Sequence, residues 1–177
     1  MKRRLTRGCR IVAGVAMLCS IMVAICVSGC GKASKSQSDD AKVPAGHEHH
    51  APHGGTPVVL GQEEYHVEFV LDAARSKLLA YVMDGELENF VRVAASSFDV
   101  VALVDGSEET LTFRAVPSHA TGETVGDTSL FEATATWLKT NLAFEGVVAD
   151  LTVRSNNYSR VTFNFPKGND PDAKPTK

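Results

Sequence analysis

Between residues 63 and 71 the chain reads EEYHVEFVL, and from Glu64 to Phe69 polar and apolar side chains alternate. Tyr65, Val67, Phe69 and Leu71 fall on one side of an extended backbone, and Glu64, His66 and Glu68 on the other. A two-residue period cannot give a helix an apolar stripe, so the stretch predicts a strand with one face in a core. Similar runs recur and are bounded by turn residues. KLLAYVM ends at Asp84-Gly85, SFDVVALV and ETLTFRAV flank Asp105-Gly106-Ser107-Glu108, and GVVADLTV and SRVTFNF flank Ser155-Asn156-Asn157. SLFEATA adds a further run before a short turn or helix that contains Trp137. Six or seven such strands predict an all-β domain over residues 53–166, a small antiparallel β-sandwich or barrel. No segment has the pattern of a long helix, and no repeat recurs at a fixed period. The longest connection, PSHATGETVGDTS at residues 117–129, is large enough to suggest a role of its own.

The N-terminus reads as an address. Lys2, Arg3, Arg4, Arg7 and Arg10 precede an apolar run over residues 11–27, and the run closes on Val27-Ser28-Gly29-Cys30. A basic start, a short apolar stretch and small residues before the cut describe a secretory signal over residues 1–29. The run is shorter than the roughly twenty residues a membrane span needs. VSGC resembles the bacterial lipobox, and that resemblance implies lipid on Cys30, an anchored mature chain and a place in the cell envelope facing the periplasm. Gly31 rather than Asp after Cys30 favours the outer membrane under the enteric sorting rule. Residues 30–52 carry almost no large apolar side chains and are expected to be a flexible His-rich linker, as residues 167–177 are expected to be a disordered tail.

Removing the signal also removes whole classes of chemistry. Cys9, Cys19 and Cys26 leave with it and Cys30 would carry lipid, so the domain has no thiolate, disulfide or cysteine nucleophile. Of 18 basic residues five lie in the signal, which leaves 13 against 21 acidic ones, a net of −8. No basic stripe remains, so nucleic acid is not an expected partner.

Histidine is where chemistry concentrates. Residues 47–55 read HEHHAPHGG, with His47, His49, His50 and His53, and His66 follows in the first alternating run. Neutral imidazole is a common donor to Zn²⁺ and Cu²⁺, and His47 and His49 project from one side of an extended chain about 7 Å apart. HEHH is not the metalloprotease H-E-x-x-H, because residue 51 is Ala51 and Pro44 and Pro52 oppose a helix. His66 has two readings. On a polar face with Glu64 and Glu68 it is a solvated or salt-bridged strand residue, or else a rigid anchor to which His53 swings back, with Glu64 or Glu68 as a further ligand. Likewise Gly54-Gly55 is either part of a metal site or only the turn into the strands. His119 reads as a surface residue and Asp84 as a turn former.

PHGG resembles the start of the prion octarepeat, and that resemblance implies copper held by one imidazole and the next two glycine amides. More widely, HEHHAPHGG, GQEEYHVEFVLD and LLAYVMDG resemble a small exported domain of bacterial lipoproteins of unassigned function, with PHGG segments also occurring near heavy-metal efflux adaptors. The resemblance implies a periplasmic metal-handling β domain and, as a partner, a metal efflux or metal-delivery protein. The chain lacks the long helical hairpin of such an adaptor. No G-x-S-x-G, P-loop or dinucleotide fingerprint is present, so no enzyme is expected. The expected function is a lipid-anchored envelope protein binding copper or zinc for buffering, delivery or sensing. The alternative is an envelope structural or interaction domain with no bound metal.

Overall fold

A computed structural model describes residues 50–169 of the chain. The signal, Cys30, His47 and His49 lie outside the described residues. Eight strands form one antiparallel sheet: β1 (Thr56–Leu60), β2 (Tyr65–Asp72), β3 (Lys77–Asp84), β4 (Ser97–Val104), β5 (Ser107–Ala115), β6 (Leu130–Thr134), β7 (Phe144–Val153) and β8 (Asn156–Phe165). Their order across the sheet is β1-β2-β3-β6-β5-β4-β7-β8. The only helical pieces among the described residues are single 3-10 turns at Ala73–Arg75 and Thr136–Lys139, the second carrying Trp137.

Phenylalanines show that the sheet curls onto itself. Phe69 of β2 lies 5.4 Å from Phe113 of β5 and 5.0 Å from Phe163 of β8, although neither strand is a neighbour of β2. Phe98 of β4 stacks on Phe113 at 5.0 Å and meets Phe131 of β6 edge-on at 5.2 Å. Rings from five strands thus share one interior, the arrangement of a small eight-stranded barrel filled by its own side chains. The two sheet edges then meet. Thr56 donates from Oγ1 to the Pro166 carbonyl at 3.1 Å, and the Val59 N–H donates to Asn169 Oδ1 at 2.7 Å. In return the Asn169 amide donates to the Val59 carbonyl at 3.3 Å, so one side chain stands in for a strand's backbone.

The all-β expectation holds, with eight strands rather than six or seven. The strand missed in the sequence is β1, TPVVL, whose Pro57 argues against a ladder position. Pro57 is tolerated because β1 is an edge. Val59, two residues on, turns its N–H away from β2 to Asn169, and at period two Pro57 faces the same way. The β7–β8 loop also falls earlier than expected, at Arg154-Ser155, since Val153 pairs with Asn156. Asn156 and Asn157 are strand residues, and the Asn157 side-chain amide donates to Asp150 and Thr152 across the hairpin. Residues 167–169, expected in the disordered tail, are instead held: Gly168 exchanges backbone hydrogen bonds with Asn164, and Asn169 reaches β1.

Candidate functional site

The PHGG segment is a turn clamped onto β2. Ala51, Pro52, His53 and Gly54 form it, closed by the Gly54 N–H donating to the Ala51 carbonyl at 3.0 Å. Proline suits the second position of such a turn, and Gly54 takes a φ of +68° that favours glycine. Gly55 is small for a different reason. A Cβ there would sit 2.5 Å from the Phe69 carbonyl oxygen and 2.7 Å from Val70 Cγ2, so the backbone rests directly on β2.

This close approach delivers three donors to one carboxylate. Glu68 Oε1 accepts the His53 N–H at 2.9 Å and the Gly55 N–H at 2.8 Å, while Oε2 lies 2.7 Å from His53 Nδ1. An ionised carboxylate only accepts, so against one Nδ1 is the donor, and in a neutral imidazole Nε2, on the opposite edge of the ring, then keeps its lone pair. Glu68 is fully buried while the His53 side chain is 30% exposed. Beneath the imidazole, Tyr81 of β3 stacks at 3.9 Å with planes 6° apart, and Phe90 adds a tilted contact at 5.8 Å. Tyr81 is the cross-strand partner of Glu68, which is why the two act on the same ring. Burial, and then the charge of Glu68, hold the Tyr81 hydroxyl above its ordinary pKa.

His66 lies on this face too, but it is not solvated. It is fully buried, with Nδ1 3.3 Å from the Asp84 carbonyl oxygen and with buried Met83 as its cross-strand partner. The reading of a solvated polar face on β2 is therefore corrected: His66 and Glu68 are both fully buried, Glu68 beneath the turn that carries His53 and Gly55, and His66 beside Met83 and the Asp84 carbonyl. Glu64 does fit that expectation. It is exposed, and its Oε2 accepts the Tyr158 hydroxyl proton at 2.6 Å.

Of the expected ligands, the structure joins His53 to Glu68. His53 does swing back to β2, onto Glu68 rather than onto His66. His50 is exposed at the start of the described residues. Among the described residues no three His, Asp or Glu side chains converge on one ion position. Glu68, with both oxygens engaged by His53 and Gly55, supports a histidine rather than offering itself as a ligand. Asp84 is the turn former expected, accepting the Glu88 and Asn89 N–H groups on Oδ1. His119 is exposed, as expected. Tyr81 and Phe90 were missed, and only the cross-strand register with Glu68 would have singled out Tyr81. The loop at residues 117–129 is tied to itself: Glu123 Oε1 accepts from the Ser129 N–H and hydroxyl, and Thr128 is fully buried.

A separate cleft lies elsewhere. It measures about 570 Å³ along the β1–β8 seam, between Glu63 and Arg160, and no histidine lines it. Comparisons with protein-family models, curated proteins and solved structures find no match to this chain.

Proposed function

We propose that the chain is a lipid-anchored envelope protein that binds a divalent transition metal, with His53 as the fixed donor. One feature carries this proposal: the buried carboxylate of Glu68 on His53 Nδ1. A carboxylate on one ring nitrogen orients a histidine and raises the basicity of the other nitrogen, the usual support of a metal-bound imidazole. His47, His49 and His50 precede His53 by three to six residues and supply the imidazoles that complete a shell. Imidazole donors of this kind suit Zn²⁺. The octarepeat copper mode fits less well, because it needs the Gly54 and Gly55 amides that Ala51 and Glu68 already hold. Lipid on Cys30, an outer-membrane location and a metal-delivery or efflux partner belong to the same proposal. No catalytic step does.

A second proposal is an interaction domain without metal, and one arrangement favours it. Glu68 binds two backbone N–H groups as well as the imidazole, so His53 has a sufficient structural task in holding the linker to the barrel.

Calorimetric titration separates the two. Zn²⁺ is titrated into the chain from Gly31, which keeps every histidine and omits every cysteine. Sub-micromolar, stoichiometric binding that weakens at least tenfold in His53→Ala supports the metal proposal. Binding no tighter than that of an unstructured histidine-rich peptide rejects it in favour of the interaction domain.

A further inference from the structure

The donor proposed for the metal is also the residue that fastens the N-terminal linker to the barrel. Four hydrogen bonds make that fastening. The turn closes itself through Gly54 and Ala51, and Glu68 takes the His53 N–H, the His53 ring and the Gly55 N–H. Three of the four share a single carboxylate that is out of water. Whatever strengthens one of those three strengthens the closed state of the whole turn.

We infer that metal binding and docking of the His-rich linker form one coupled equilibrium, in which an ion on His53 Nε2 tightens the turn against β2. This rests on the proposed metal function. A divalent ion on Nε2 draws electron density from the ring and makes Nδ1–H a stronger donor. The acceptor is an ionised carboxylate with no solvent to compete for it, where charge-assisted hydrogen bonds gain most. The stack on Tyr81 keeps the ring in the plane that this bond requires. Coupling of this kind is reciprocal: if the closed turn binds the ion more tightly than the open one, the ion favours closure by the same factor. The sign is diagnostic. An ion that took the amide nitrogens of Gly54 and Gly55 would instead break the bonds to Ala51 and Glu68 and open the turn.

The test is amide hydrogen exchange at His53 and Gly55, followed by NMR in the chain from Gly31 as Zn²⁺ is added, with calorimetry on the same samples. At saturating zinc both amides are expected to exchange at least tenfold more slowly. His53→Phe keeps the ring stack and the backbone N–H but has no ring nitrogen, and in it zinc should leave the Gly55 amide unchanged. Zinc binding with unchanged or faster exchange overturns the coupling and leaves the metal proposal standing. Slowing that persists in His53→Phe also overturns it, because the effect then bypasses the imidazole. Absence of zinc binding removes both.

Discussion

The outer faces of the β2–β3 and β4–β5 hairpins look alike in sequence and differ completely in the fold. On β4–β5, Asp99 and Thr112 are cross-strand partners, both exposed, joined by a 2.7 Å hydrogen bond in open solvent. Leu103 on the same hairpin remains 47% exposed. On β2–β3, Glu68 and Tyr81 occupy the equivalent kind of pair, yet Glu68 is fully buried beneath His53. Met83 and Leu87 are buried nearby without belonging to the main core. A polar residue facing outward from a barrel is therefore not yet a surface residue. Its surroundings depend on whether another segment lies over it, and here the turn that carries His53, with Gly55 after it, does.

The sharpest way to break the comparison is to delete the carboxylate on each hairpin. Glu68→Ala leaves the N–H groups of His53 and Gly55 without their acceptor and opens space beneath the imidazole. Its expected cost is about 3 kcal/mol, the upper end of the scale for losing hydrogen bonds to a charged group. Asp99→Ala should leave the denaturation midpoint where it is. Urea unfolding of both variants checks this, and equal midpoints would mean that the covered face is no more demanding than the open one.

A smaller contrast lies within the turn. Gly55→Ala drives a methyl group into the Phe69 backbone carbonyl, which cannot rotate away, and should cost about 1–3 kcal/mol. Gly54→Ala meets no neighbouring atom and loses only the ease of its positive φ, about 1 kcal/mol. Thermal melts rank the pair, and a milder Gly55→Ala would show that the turn does not rest on β2.

The smallest effect expected is in acid, and it belongs to the solvent-facing loops. Partial burial raises the carboxyl of Asp84, but hydrogen bonds from the Asn89 side chain and from loop N–H groups outweigh that, so its pKa is lowered below 3.8. Glu123 behaves alike: burial raises it, while hydrogen bonds from Thr121 and Ser129 and the charge of Arg92 bring it below 4.5. A lowered folded-state pKa means stability present above the ordinary carboxylate range and lost as pH falls through the folded value. Protection of the Asn89 and Ser129 amides, relative to the unstructured exchange rate at each pH, should therefore fall below about pH 4 while the barrel amides stay protected. Loosening of these loops at pH 6 would contradict the assignment.

Much of the fold was legible because strand phase is a local property. Val67 and Phe69 announce an inward face by spacing alone, and Asp105-Gly106 announces a hairpin by the positive φ its loop adopts. TPVVL escaped notice because the penalty for Pro57 disappears only at a sheet edge, and edges are decided by the whole strand order. PHGG was legible as a cluster of unusual residues, and of its two readings the folded segment shows the turn. Its partner was legible only as one of two outward carboxylates, Glu64 or Glu68, because Glu68 lies fifteen residues beyond His53 and spacing alone does not choose between them.

By itself, then, the sequence determined an all-β chain, the inward and outward phase of most strands, a thiol-free domain and a stretch dense in imidazole. Only the tertiary structure decided that the outward face of β2 is covered, that His66 is buried and that Glu68 belongs to His53. The physical reason is range. Side-chain alternation follows from backbone geometry one residue at a time, whereas burial of a charge depends on donors brought from a distant segment whose sequence has no period to read.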